Sequence, residues 1–215
     1  MKLSISQLIE VVRKEFIVSL RQRAAIASML MFTLTTLASI SLAVQGAALE
    51  PELLSALMWV IIFFAASSID QTFNDEAITM LKVYGNGQVI LFGKMIYSLM
   101  SLAVMAIFLI PLFIILFDCE VNDPLILIII SLGLIGIASA GTLIAAISSL
   151  ASVKSGLFPI LLFPIILPLF MPAISLTSKA FVGAETSISL IIEMAIFDAI
   201  LIVTASILFD SLWYD

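Results

Sequence analysis

Six stretches of this chain are long enough for a helix that crosses a lipid bilayer, and they carry almost no charge. A spanning helix needs about 20 apolar residues, because the hydrocarbon core is roughly 30 Å thick and each helical residue rises 1.5 Å. The runs cover residues 24–44, 53–69, 95–117, 125–153, 155–177 and 188–209. They predict an all-α polytopic membrane protein, with six transmembrane helices in one domain over residues 1–215. The fourth run exceeds the bilayer thickness. It must tilt, bend near Gly133, Gly136 or Gly141, or extend beyond the membrane, and extension is the expected outcome.

Composition removes most other classes. With 63% hydrophobic residues, 11% charged residues and a mean hydropathy of +1.29, no water-soluble fold is available. The chain has no histidine and one cysteine, Cys119, which excludes a Cys/His zinc site, a His-based acid/base centre and an internal disulfide. No metal-ligand motif and no nucleophile with its base is present, so no catalytic residue is assigned. A net charge of −6 lacks the basic stripe that binds nucleic acid.

Positive residues stay on the cytoplasmic side of a membrane. Lys2, Arg13, Lys14, Arg21, Arg23, Lys82, Lys94 and Lys154 fall on one side of the six-span scheme, and only Lys179 falls on the other. Both termini are therefore expected in the cytoplasm. The triplet Ser41-Leu42-Ala43 has the small residues of a signal-peptidase site. The run before it is about 21 residues, beyond the 7–15 of a signal sequence, so it is expected to remain as the first span.

Ahead of that span, Ile5, Leu8, Ile9, Val12, Phe16 and Leu20 recur at helical spacing, with Gln7, Glu10, Arg13, Lys14 and Arg21 opposite. Residues 1–23 are expected to form an amphipathic interfacial helix on the lipid bilayer, acting either as an anchor or as a docking element. The cytoplasmic segment 70–94 joins an acidic cluster at Asp70, Asp75 and Glu76 to Phe73, Ile78, Met80, Leu81, Lys82 and Val83. Its apolar content exceeds that of a solvated turn, so a docking surface is expected. Gly87, Gly93 and Lys94 imitate a phosphate loop, but five residues separate the glycines and Met95 stands where Ser or Thr would bind Mg²⁺. This chain is not expected to hydrolyse ATP.

Within the spans, Gly141, Ala145 and Ser149 form a small-residue stripe, for packing within the chain or between two chains. Pro159, Pro164, Pro168 and Pro172 predict a kinked or discontinuous fifth span, either a mobile pathway-lining element or a static kink. Asp198 is expected near the bilayer midplane, with Glu193 nearer the outer boundary. A carboxylate there marks a substrate or proton site, or else a neutral carboxyl hydrogen-bonded to a neighbouring Ser or Thr.

Taken together, Trp59, Phe73-Asn74-Asp75-Glu76, Gly93-Lys94, Gly141-Thr142-Leu143 and Lys154-Ser155-Gly156-Leu157 through Pro164 and Pro168 resemble the CcmB family, haem exporter protein B. The resemblance implies a type-2 ABC exporter permease in the bacterial cytoplasmic (inner) membrane. It implies that a soluble ATPase (CcmA-like) carries the ATP and docks on the segment holding Asp70, Phe73, Asp75, Glu76 and Lys82. It also implies membrane partners (CcmC-like and CcmD-like) or a second permease copy, and a haem chaperone (CcmE-like). Haem would be the cargo of the complex in cytochrome c maturation. Lacking histidine, this chain alone is expected to bind no cofactor. Two other readings remain open: a permease for a lipid, glycan or drug, and an ATP-independent carrier using Asp198.

Overall fold

The computed structural model describes residues 5–21, 23–44, 49–69, 87–150 and 158–214. These residues form seven helices and no strand: α1 (Ile5–Arg21), α2 (Arg23–Val44), α3 (Pro51–Ile69), α4 (Gly87–Phe117), α5 (Ile126–Leu150), α6 (Phe158–Val182) and α7 (Ile188–Tyr214). Four of them, α4 to α7, are long and apolar enough to cross a membrane, while the apolar parts of α2 and α3, Leu30–Val44 and Pro51–Ser67, are shorter.

Helix ends follow local chemistry. Pro51 opens α3, where its missing N–H leaves no bond unmade, and Glu52 sits in the first turn. Asp123 precedes Pro124 and accepts the Leu125 N–H at 2.9 Å, starting α5. At the far end of α6, Gly183 adopts φ +72° and Ala184 N–H reaches the Lys179 carbonyl at 3.0 Å, a left-handed C-terminal stop.

α5 is the central helix. Over its spanning stretch 72% lies inside the molecule, against 28% for α4 and 22% for α7. Small residues make this position accessible to neighbours: Gly133 faces the Trp59 indole of α3, and Gly136 faces Leu169 of α6 and Asp198 of α7. Gly141 and Ala145 are buried too, so the small-residue stripe packs within the chain over these positions. The core fills with Trp59, Ile62 and Phe63 from α3, Leu102, Leu109 and Phe113 from α4, Ile129 and Ile137 from α5, and Leu162, Leu169 and Leu176 from α6.

Two expectations are corrected. α4 begins at Gly87, eight residues before the apolar run at Met95, because Ile90 and Leu91 are buried against α5 and α7 and extend the helix. The second correction concerns α6, which runs from Phe158 to Val182 without a break despite Pro164, Pro168 and Pro172 inside it. Discontinuity is excluded. Pro164 and Pro168 stand on its exposed side, Pro172 is buried, and Pro159 lies in the first turn, where no helical N–H is lost.

Candidate functional site

The first two turns of α4 grip two other helices. Lys94 is 3% exposed and its Nζ lies 3.4 Å from Glu15 Oε1 of α1, itself 4% exposed. Lys14 reaches the same oxygen at 3.4 Å but is 44% exposed, so water screens it and Lys94 is the dominant partner. One residue earlier on α4, Gly93 admits the Val11 side chain of α1, where an added Cβ would come within 2.6 Å. On another side of α4, Gln88 exchanges two hydrogen bonds with Ser206 of α7: its Nε2 donates to the Ser206 carbonyl at 2.9 Å, and the Ser206 hydroxyl donates to Oε1 at 2.8 Å. Ile90, Leu91, Leu143, Ala146, Ala205 and Phe209 seal the junction with apolar contacts.

This geometry resolves the phosphate-loop imitation. Gly87, Gly93 and Lys94 lie in a helix rather than in a loop that turns backbone N–H groups toward a ligand, and Lys94 faces Glu15. It also reorients α1. Val11 and Glu15 face α4, whereas Ile5, Ile9, Phe16 and Ile17 are exposed. The expected coupling residues Asp70, Phe73, Asp75, Glu76 and Lys82 lie outside the described residues.

The second notable group is Asp198. It is 3% exposed, half-way along α7, with Oδ1 against Gly136 of α5, and neither carboxyl oxygen has a hydrogen-bond partner among the described residues. A Ser or Thr partner was one expected alternative. The α5 hydroxyls of Ser139 and Thr142 are engaged within their own helix, Ser139 donating to the Ile135 and Gly136 carbonyls and Thr142 to Ala138. Glu193 is exposed. Five residues apart on a helix are about 140° apart in azimuth, so the two carboxylates occupy different faces and form no joint site.

The Trp59 indole N–H donates to the Thr177 hydroxyl at 3.1 Å in the interior, fastening α3 to α6, and its ring lies 6.2 Å from that of Phe170. Beyond the ends of α6 the loops are laced together. Asn122 donates its N–H to the Ala180 carbonyl at 3.1 Å and its Nδ2 to the Phe181 carbonyl at 2.9 Å. Asp123 accepts the Thr186 hydroxyl. That bond, with the Leu125 N–H, holds the Asp123 carboxyl below the usual carboxylate range. In the same loop Cys119 is a half-buried free thiol, pushed up by burial and by Asp118 beside it.

Glu15, Gln88 and Ser206 were not singled out from sequence. Glu15 was legible only as one more charge on an amphipathic helix, and Gln88 only as a polar residue beside Gly87. Among the described residues no group of His, Cys, Asp and Glu is arranged to hold a metal.

Among known proteins, the family described as CcmB protein matches residues 6–210, nearly the whole chain. No curated protein and no solved structure matches.

Proposed function

The chain belongs to the CcmB family, and from that premise we propose that it is the membrane permease subunit of an ABC exporter acting in haem delivery for cytochrome c maturation, driven by ATP hydrolysis on a separate subunit. In this reading α2 to α7 make six spans, α1 lies in the cytoplasmic interface, and both termini are cytoplasmic. The distribution of eight basic residues against Lys179 supports that orientation.

The observation that carries the coupling is the junction at the start of α4. Residues 70–86 lead directly into it, and there Lys94 holds α1 while Gln88 holds α7. A push on the segment by an ATPase would pass into both helices at once. α7 carries Asp198 about 12 Å further along its axis, eight residues from Ser206 at 1.5 Å each, so the same movement reaches the central carboxylate. Asp70, Phe73, Asp75, Glu76 and Lys82 are the proposed contacts of a CcmA-like ATPase, and CcmC-like, CcmD-like and CcmE-like partners handle haem. This chain supplies the stroke, with α6 and its four prolines as the moving wall.

Deletion of the gene followed by staining for covalent haem tests the assignment. Loss of staining in c-type cytochromes is expected. Full staining would remove haem delivery from the assignment. Phe73→Asp should abolish copurification of the ATPase from an inserted permease, and unchanged copurification would remove the docking assignment.

A further inference from the structure

The last turns of α6 present Met171, Ile174, Ser175, Ser178 and Lys179 at helical spacing toward Glu52 at the start of α3, and between them lies a half-open cleft of about 320 Å³. Its hydroxyls differ from several others in the bundle. Ser67, Ser139 and Thr142 donate to carbonyls of their own helices. Ser178 is 4% exposed, yet its hydroxyl makes no hydrogen bond among the described residues, and neither does that of Ser175. Both hydroxyls line the cleft and are left free to donate to a ligand there.

The charges are likewise left open. Lys179 and Glu52 line the same cleft, but neither enters an ion pair among the described residues. A lysine with two hydroxyl donors suits an anion with several acceptor oxygens. A carboxylate on the opposite wall suits a cation joined to that anion. Met171 and Ile174 continue the cleft as an apolar wall along α6. A purely anionic ligand would meet Glu52 unfavourably, and a small soluble zwitterion would leave the apolar wall uncovered.

We propose that this cleft holds the headgroup of a phosphoethanolamine lipid, with the phosphate on Lys179, Ser175 and Ser178, the ammonium at Glu52 and an acyl chain along Ile174 and Met171. The proposal rests on the membrane-spanning reading above, which puts this end of α6 at the outer bilayer surface. The volume sits at the low end of the roughly 300–1,000 Å³ usual for ligand sites, room for a headgroup rather than for a macrocycle.

The test is native mass spectrometry of the full chain reconstituted with equal amounts of phosphatidylethanolamine and phosphatidylglycerol. The wild type should retain phosphatidylethanolamine about tenfold over phosphatidylglycerol, a difference of about 1.4 kcal/mol. Lys179→Met should lower phosphatidylethanolamine retention by a similar factor, and Ser178→Ala should lower it less. Glu52→Gln, at an exposed position, should erase the preference between the two lipids. Equal retention of both lipids by the wild type would overturn the proposal, as would an unchanged Lys179→Met. Displacement by soluble glycerophosphoethanolamine would assign the cleft to a free headgroup instead, and displacement by hemin would assign it to cargo. Failure of the membrane reading appears differently, as no lipid retained by any variant. Loss of the haem or ATPase assignment leaves the lipid ratios unchanged.

Discussion

Glu15 and Lys94 meet at 3.4 Å with both side chains at least 96% buried, joining the first helix of the chain to the fourth. Two charges withdrawn from water are held there chiefly by each other, with the half-exposed Lys14 at the same Glu15 oxygen. Removing one deprives the other of its buried counter-charge, whereas removing both does not.

Glu15→Gln or Lys94→Met alone should therefore destabilise the protein by about 3–5 kcal/mol, while a Glu15→Leu/Lys94→Met pair should come close to wild type. Thermal unfolding in detergent, followed by tryptophan fluorescence, reads the difference. A loss in the double variant equal to the sum of the two single losses would show that the pair contributes no mutual stabilisation.

Gly133 abuts the Trp59 ring, and an added Cβ would overlap it. Gly133→Ala should cost about 1–3 kcal/mol through overpacking. Trp59→Phe forfeits the hydrogen bond to Thr177, worth about 1 kcal/mol, but frees the space. The two substitutions together should cost less than their sum in the same melting assay, and strict additivity would contradict the contact.

Asp198 predicts a separation of stability from activity. Its oxygens have no partner among the described residues, so Asp198→Leu should leave insertion intact and raise stability by about 1–3 kcal/mol. Covalent haem in c-type cytochromes should nevertheless fall. A stable variant with normal haem staining would reduce Asp198 to a tolerated burial.

Cys119 reports orientation and titrates in a known direction. A membrane-impermeant maleimide should label it in intact spheroplasts. Because burial and Asp118 raise the thiol above its ordinary value of 9.0, the reactive thiolate is scarce at neutral pH. Labelling should be slow at pH 7 and accelerate through pH 9, and Asp118→Asn should speed it. Labelling only after permeabilisation would reverse the topology.

Much of the bundle was legible because a lipid-spanning helix must be apolar along its whole length, a signal that needs no knowledge of its neighbours. The start of α4 was not, because Gly87 and Gln88 precede the apolar run at Met95 and are tied to Ser206 more than one hundred residues away. Glu15 was hidden by its company: on an amphipathic helix every charge looks solvated until its partner is placed. Of the two readings of the α6 prolines, a kink or a break, only the break is removed: Pro164, Pro168 and Pro172 each remove one hydrogen bond, yet packing against α3, α5 and α7 keeps the helix continuous. Ser175 and Ser178 carried no pattern, since hydroxyls in spans are common and only the direction they face distinguishes them.

In the proposed stroke, the lacing of Asn122 to the end of α6 would serve as a fulcrum. α6 is 25 residues long, so it reaches about 37 Å from that knot at 1.5 Å per residue. A rod pinned at one end magnifies rotation: a tilt of about 5° carries the free end through roughly 3 Å, about two residue rises along a helix. If α6 is the moving wall proposed above, amplitude is set by leverage rather than by the size of the local rearrangement, and loosening Asn122 should shorten the proposed stroke.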